Sequence, residues 1–468
     1  MASISSEHAS RSRIFFRSSW RNFAGATEWL RVPFVGGSDS SVARRLAGAA
    51  FLIRVVSAVI AFVSQIALAR WLGGFQFGVY VYVWTWVLLI GGMVDLGLGS
   101  AAQRLIPEYI EQKRFALLRG FLGGSRWLAT IIATAIAAAA AFVVSVLSPH
   151  IAPSSILPLY LACAALPICG MAQVQSGIAR SYDWINLGLS PAYVLRQILL
   201  LALLGFAFAL GLPMNAVTAT FTAAAGWWAV TIGQFVVLNR RLATAVEPGP
   251  KAYAVRSWLS TSTPIFVVEA FFLLLTYSDV LVLQFFRPPN EVGIYYAASK
   301  TMALVAFVYF SVAQTLAHKF AEYHLAGDRK RLVDFLAVAV RMTFWPSLGS
   351  ILVLLVLGKP MLRMFGHEFV SGYYLMFILA IGLLARASVG PAERLLNMLG
   401  ERRSCALIYG GSFAINIALC FLLIPGFGIA GAAIANAITL VCESASLFFV
   451  AKNRLALHCF VFGGRQGR

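Results

Sequence analysis

Apolar stretches of 20 residues or more recur twelve times along this 468-residue chain, at 46–69, 79–99, 121–146, 156–178, 189–210, 216–238, 262–285, 294–317, 333–357, 371–390, 404–424 and 428–451. A helix that crosses the hydrocarbon core of a bilayer needs about 20 predominantly apolar residues, whereas a barrel strand needs about half that length and alternates in polarity. Runs of this kind predict spanning helices, the one open-ended segment whose backbone polar groups all pair internally in lipid. The chain is accordingly expected to be an all-α polytopic membrane protein. Its composition agrees: 60% of residues are apolar and 12% charged, where a soluble domain carries about 45–50% and about a quarter. A cytosolic enzyme, a secreted domain and a nucleic-acid-binding module are excluded as readings of the whole chain. The six cysteines form no CxxC pair or Cys/His cluster, so they read as buried thiols rather than disulfides or metal ligands.

The net charge of +19 is explained by where the charges fall. The N-terminal segment, every second loop and the C-terminal segment hold 29 Lys/Arg with their near flanks, while the alternate loops hold only Arg70, Arg287, Lys359 and Arg363. Under the positive-inside rule this split places both termini and the charge-rich loops in the cytoplasm, and two termini on one side require an even number of spans. No cleavable signal peptide is expected, since the first apolar run begins near Leu46. Residues 1–45 form a basic, Ser-rich tail in which Phe16, Trp20, Phe23, Thr27 and Leu30 recur at helical spacing. That tail reads either as an interfacial basic helix or as a solvated segment.

The two halves of the chain repeat. Phe77-Gly78-Val79-Tyr80 follows the first span and Val292-Gly293-Ile294-Tyr295 the seventh; Asn239-Arg240 and Asn453-Arg454 follow spans six and twelve; Arg126 and Arg341 lie in spans three and nine. A near-constant offset of about 215 residues at both ends makes spans one to six and seven to twelve copies of one unit, an arrangement transporters use with the substrate site between the halves. The expected organisation is a cytoplasmic tail 1–45, a six-helix lobe 46–238, a cytoplasmic linker 239–260, a second lobe 261–452 and a cytoplasmic tail 453–468. The two lobes would enclose a central cavity.

A charge at the bilayer centre costs at least about 2.5–3.5 kcal/mol, so those present should face a partner or a cavity. Arg54 in span one and Glu269 in span seven share a repeat position, as do Ser64 and Asp279. Arg54, Arg196 and Lys300 are the candidate contacts for an anionic substrate, because guanidinium and ammonium groups recognise phosphate oxygens. Glu269, Asp279 and Asp95 are the candidate gating or ion-coupling residues, with Glu269 expected to compete for Arg54 as the lobes close. Asp279 and Lys300 lie at equal depth on adjacent helices and are alternatively expected to form a structural ion pair. Arg341 is expected to snorkel to the cytoplasmic boundary, Glu443 to bridge helices, and Pro167, Pro264 and Pro346 to kink their spans. No Walker loop, HExxH, GxSxG or dinucleotide-binding fingerprint occurs, so neither a cofactor, a metal nor enzymatic activity is expected.

Ala69-Arg70-Trp71-Leu72-Gly73 through Phe77-Gly78-Val79-Tyr80, then Asp95-Leu96-Gly97-Leu98, Glu291-Val292-Gly293-Ile294-Tyr295 and Ile424-Pro425-Gly426-Phe427-Gly428-Ile429-Ala430-Gly431-Ala432-Ala433 together resemble the Wzx-like oligosaccharide flippases of the multidrug/oligosaccharidyl-lipid/polysaccharide exporter superfamily. Each motif is short, and their order and spacing carry the likeness. The resemblance implies two six-helix bundles in a V and a multi-pass protein of the bacterial inner membrane. It also implies movement of an undecaprenyl-diphosphate-linked oligosaccharide between leaflets, for capsule, exopolysaccharide or O-antigen synthesis. Alternating access driven by an ion gradient is implied too, with H+ or Na+ as coupling ion and membrane lipids and other polysaccharide-assembly proteins as partners. The basic N-terminal tail is not explained by it. A multidrug antiporter of the same superfamily is the second reading and would want an acidic cavity. A membrane polymerase or glycosyltransferase is the third and would need a larger outer loop than 358–370.

Overall fold

The computed structural model describes residues 38–307, 323 and 328–462, with side chains from residue 53 onward except at 54, 55 and 402. The basic tail and its aromatic periodicity lie outside the described residues. By compactness the chain divides between Gly48 and Ala49, and the packing of helices against one another lies within the unit 49–468. All regular structure among the described residues is helical: α1 (Ser38–Gly91), α2 (Leu98–Glu111), α3 (Phe115–Leu147), α4 (Pro153–Ser181), α5 (Ile185–Ser190), α6 (Arg196–Ala209), α7 (Ala216–Ala245), α8 (Val255–Phe286), α9 (Pro289–Met302), α10 (Arg329–Val356), α11 (Gly358–Phe365), α12 (Tyr373–Ser388), α13 (Ala392–Met398), α14 (Arg402–Phe427) and α15 (Ile429–Leu455).

Ten helices among the described residues are long and apolar enough to cross a membrane, against twelve runs in the sequence. Two local features account for the difference. Spans one and two are merged in α1, which is interrupted at Gly73 by a residue at φ 72°, ψ 165°. The apolar run 294–317 of span eight overlaps α9, and its part beyond residue 307 lies outside the described residues. The protein is thus a multi-pass, all-helical membrane protein.

Span two also ends differently from its expected bounds of 79–99. The helix stops at Gly91, the chain turns through 92–97, and α2 starts at Leu98. Asp95 explains the restart: its carboxylate accepts from the backbone N–H of Gly97 (3.2 Å) and of Gly99 (2.9 Å), satisfying donors that a helix start leaves free. Gly97 sits at φ 74° and a Cβ there would stand 3.0 Å from the Ser262 carbonyl oxygen of α8, so glycine is required by both conformation and contact. Pro167, Pro264 and Pro346, expected to kink their spans, lie inside continuous helices.

The first half packs α4 against α2, α3 and α7, with α6 on α7, and the second half packs α15 against α12 and α14, with α14 on α8. Small residues permit these close approaches. The repeat-related glycines Gly78 and Gly293 meet directly: a Cβ on Gly293 would lie 3.5 Å from the Gly78 Cα, and one on Gly78 would overlap the Pro289 carbonyl. Positions equivalent by the repeat are therefore also neighbours in space. Their counterparts in spans three and nine differ: Arg126 is buried and donates to Leu122 O and Asn239 Oδ1, whereas Arg341 is exposed.

Candidate functional site: a cavity with one cation

Pro191 has no N–H to give the helical ladder, and the segment Pro191–Leu195 is a π turn in which the Arg196 N–H bonds to the Pro191 carbonyl. Such turns rotate the following side chains out of α-helical register. Here the turn delivers Arg196 to a cavity of about 220 Å³ between α4, α6, α7, the end of α1 and α8. The Arg196 guanidinium lies 4.3 Å from the centroid of the Trp227 ring, a cation–π contact that holds it without neutralising it. Trp227 is in turn backed by Trp84 (5.8 Å between centroids), which stacks on Tyr80 (5.9 Å). Around the cation the walls carry Gln173, Ser176, Gln234 and Tyr277. Gln234 is fixed by its bond to Leu187 O (2.9 Å). Among the described residues no carboxylate lines the cavity, and Arg196 makes no ion pair.

The other expected site residues fall in three places. The side chain of Arg54 lies outside the described residues, so the expected contest between Arg54 and Glu269 is not on view; the described partner of Glu269 is the Ser100 hydroxyl, which donates to Oε1 at 2.6 Å. That bond ties α8 to α2 next to Asp95, which is buried and caps the start of α2. Lys300 stands over the Tyr296 ring at 4.9 Å and does not line the cavity, whereas Tyr277 does. Asp279 corrects the expected ion pair with Lys300. Its buried carboxylate accepts instead from the Tyr295 hydroxyl, the Val280 N–H (2.8 Å) and Asn436 Nδ2 (3.3 Å). The carboxylate's hydrogen-bond partners are three neutral donors on α8, α9 and α15, and Lys300 stands outside ion-pair distance.

Three parts of the arrangement were not foreseen. Trp227 is the platform that orients Arg196, and its only sequence signal is the Trp227-Trp228 pair within span six. The π turn is signalled by a proline five residues before the arginine. An ion cluster joins α12, α13 and α15: Arg386 Nη2 stands 3.8 Å from Glu393 and 3.7 Å from Glu443, the latter almost fully buried. The helix bridge expected of Glu443 is thus an ion pair, hidden because Arg386 counts among the flanking charges of span ten. The cysteines are free thiols, five buried and Cys442 half-buried.

The fold and this cavity define a class, a multi-pass helical protein with the architecture of the exporter superfamily that the motifs resemble. The chain covers 87% of its length on an inward-facing multidrug resistance MATE family transporter of the MOP superfamily, at 98% of that chain, TM-score 0.71 and 14% identity. It likewise covers 86% on the lipid II flippase MurJ in its inward closed conformation, at 87% of that chain, TM-score 0.69 and 14% identity. The chain belongs to the polysaccharide biosynthesis protein family, matched over residues 45–321. A probable low-salt glycan biosynthesis flippase, Agl15 of Haloferax volcanii, is 24% identical over 168 residues, a stretch that spans 35% of each chain.

Proposed function

We propose that the protein is a flippase that carries a lipid-linked oligosaccharide, on undecaprenyl diphosphate, from the cytoplasmic to the outer leaflet of the bacterial inner membrane. The reading extends to capsule, exopolysaccharide or O-antigen synthesis, and to a carrier rather than an enzyme. The observation that carries it is the charge of the cavity: one guanidinium, held by an aromatic ring and by no acid, in a space bordered by helices of both halves. A half-buried cation without an acidic partner is costly within a membrane unless an anion completes it, and a diphosphate supplies oxygens that a guanidinium binds two at a time. The alternative of a cation antiporter loses support for the same reason, since it would want carboxylates where none lines the wall. The family match and the glycan flippase relative favour the same reading.

In this reading the two lobes 46–238 and 261–452 alternate around the cavity, and Arg196 contacts the diphosphate with Lys300 and Arg54 as further cations near its path. Asp95, Glu269 and Asp279 sit where helices of the two halves or of one half are tied together, and are the groups proposed to couple an H+ or Na+ gradient to those ties. Both termini are cytoplasmic in this scheme. The test is polysaccharide export in a strain lacking this gene, complemented by the wild type or by Arg196→Ala at matched membrane levels. Full export by Arg196→Ala would remove the anion-binding reading of the cavity.

A further inference from the structure

Arg70, one of the four cations on the charge-poor loops, falls beside the sequence motif that follows span one and reaches the second half of the chain. Arg70, at the end of span one, donates from Nε to Met364 O (2.7 Å) and from Nη2 to Arg363 O (2.8 Å). These are carbonyls of the last turn of α11, which a helix end leaves free and where a cation is favoured. Four residues on, the Gly74 N–H donates to Glu368 Oε1 at 2.7 Å. Both contacts join the first half of the chain to the second. Directly beneath them Phe62 meets Phe365 (5.6 Å), and Phe77 meets Phe369 (5.8 Å) and Tyr296 (6.2 Å); Phe77, Phe365 and Phe369 are fully buried. The polar contacts are therefore a rim around a dry aromatic layer.

The repeat supplies an internal comparison. Arg287, the cation that follows span seven as Arg70 follows span one, also reaches helix-end carbonyls, those of Ile424 (3.4 Å) and Pro425 (3.3 Å) of α14. Its target belongs to its own half, whereas that of Arg70 belongs to the other. The same device thus serves as an internal brace in one copy and as a bridge in the other.

We propose that Arg70 on the Arg363 and Met364 carbonyls, with the Gly74 N–H on Glu368, is a clasp that holds this end of the two halves shut over the aromatic layer and releases when that end opens. Its bonds are short and charge-assisted but exposed at the rim, so water can replace them one by one as the layer below separates. The clasp depends on the halves moving apart and not on what is carried, so it is tested without substrate.

The full chain is reconstituted in proteoliposomes with spin labels at Phe75→Cys and Ser371→Cys, the unmodified chain serving as background for its native cysteines, and the interlabel distance is measured by double electron–electron resonance. Arg70→Ala with Glu368→Ala is expected to add or enlarge a longer-distance population relative to the otherwise wild-type pair. Arg287→Ala is expected to leave the distribution unchanged. Arg70→Gln, which keeps an amide donor and most of the packing, is expected to fall between them and carries the test if the double variant does not fold. An unchanged distribution in the variants of Arg70, or an equal change with Arg287→Ala, would overturn the clasp.

Discussion

Replacing Arg196 by alanine removes the one cation from the cavity wall while leaving the π turn before it intact, because that turn is set by Pro191 and the backbone. If Arg196 makes charge-assisted bonds to the diphosphate, their loss costs about 1.5–3 kcal/mol, or roughly 10- to 150-fold in affinity at 1.4 kcal/mol per decade. Arg196→Lys keeps the charge but gives up both the bidentate fork and the planar stack on Trp227, so it should recover only part of that loss. Trp227→Leu leaves the guanidinium in place without its platform; a partly desolvated cation–π contact is worth about 0.5–2 kcal/mol, so a smaller weakening of roughly 2- to 30-fold is expected by the same conversion. The assay is titration of the purified protein in detergent with an undecaprenyl-diphosphate oligosaccharide, against the neutral undecaprenol as control. The expected order of affinity is wild type, then Trp227→Leu and Arg196→Lys, then Arg196→Ala, with undecaprenol binding insensitive to all three. Wild-type affinity in Arg196→Ala would refute the assignment of the cavity cation to the diphosphate.

Asp95→Ala should destabilise the protein by about 1–2 kcal/mol through loss of a helix cap, seen as a lower apparent melting temperature in fluorescence-detected size exclusion, while Glu269→Gln, which can still accept from Ser100, should not. Arg386→Ala should be more damaging, by about 3–5 kcal/mol, because it leaves the buried Glu443 carboxylate without its cation; adding Glu443→Gln should restore much of the stability, and failure to do so would show that the cluster is held otherwise. Single cysteines at Lys359 and Pro250 probe orientation: an impermeant thiol reagent should label position 359 and not 250 in intact cells, and labelling of 250 would contradict the charge-based topology.

The membrane class, the helical architecture and most of the span positions were legible in the sequence because lipid imposes one simple rule, long apolar runs with internally paired backbones. Gly78 and Gly293, matched by offset in the sequence, touch in the structure, a contact that the offset alone did not require. What escaped was set by local backbone chemistry. The break at 92–97 needed the Asp95 carboxylate to cap a new helix, and within an apolar run that short motif does not alter hydropathy. Of the six expected site residues, Arg196 reaches the cavity because of a π turn that periodicity cannot register. Equal depth failed as a guide for Asp279 and Lys300, since depth places two groups on one level without orienting them around their helices. Tyr295 and Asn436 were better placed to fill the carboxylate. The Arg386 cluster was missed because an arginine at the end of a span looks the same in sequence whether it faces water or a buried glutamate.

Transport of a lipid-linked oligosaccharide is measured directly as leaflet exchange in a purified system. Proteoliposomes holding the full chain and an undecaprenyl-diphosphate oligosaccharide bearing a dithionite-sensitive fluorophore on its sugar are treated with dithionite, which bleaches only the outward-facing leaflet. With the wild type, bleaching should proceed beyond the outer-leaflet share seen in protein-free vesicles and approach the whole population, and Arg196→Ala should slow it at equal reconstitution. Bleaching that stops at the outer-leaflet share in wild-type vesicles, under an imposed H+ gradient, an imposed Na+ gradient and neither, would exclude the transport proposed.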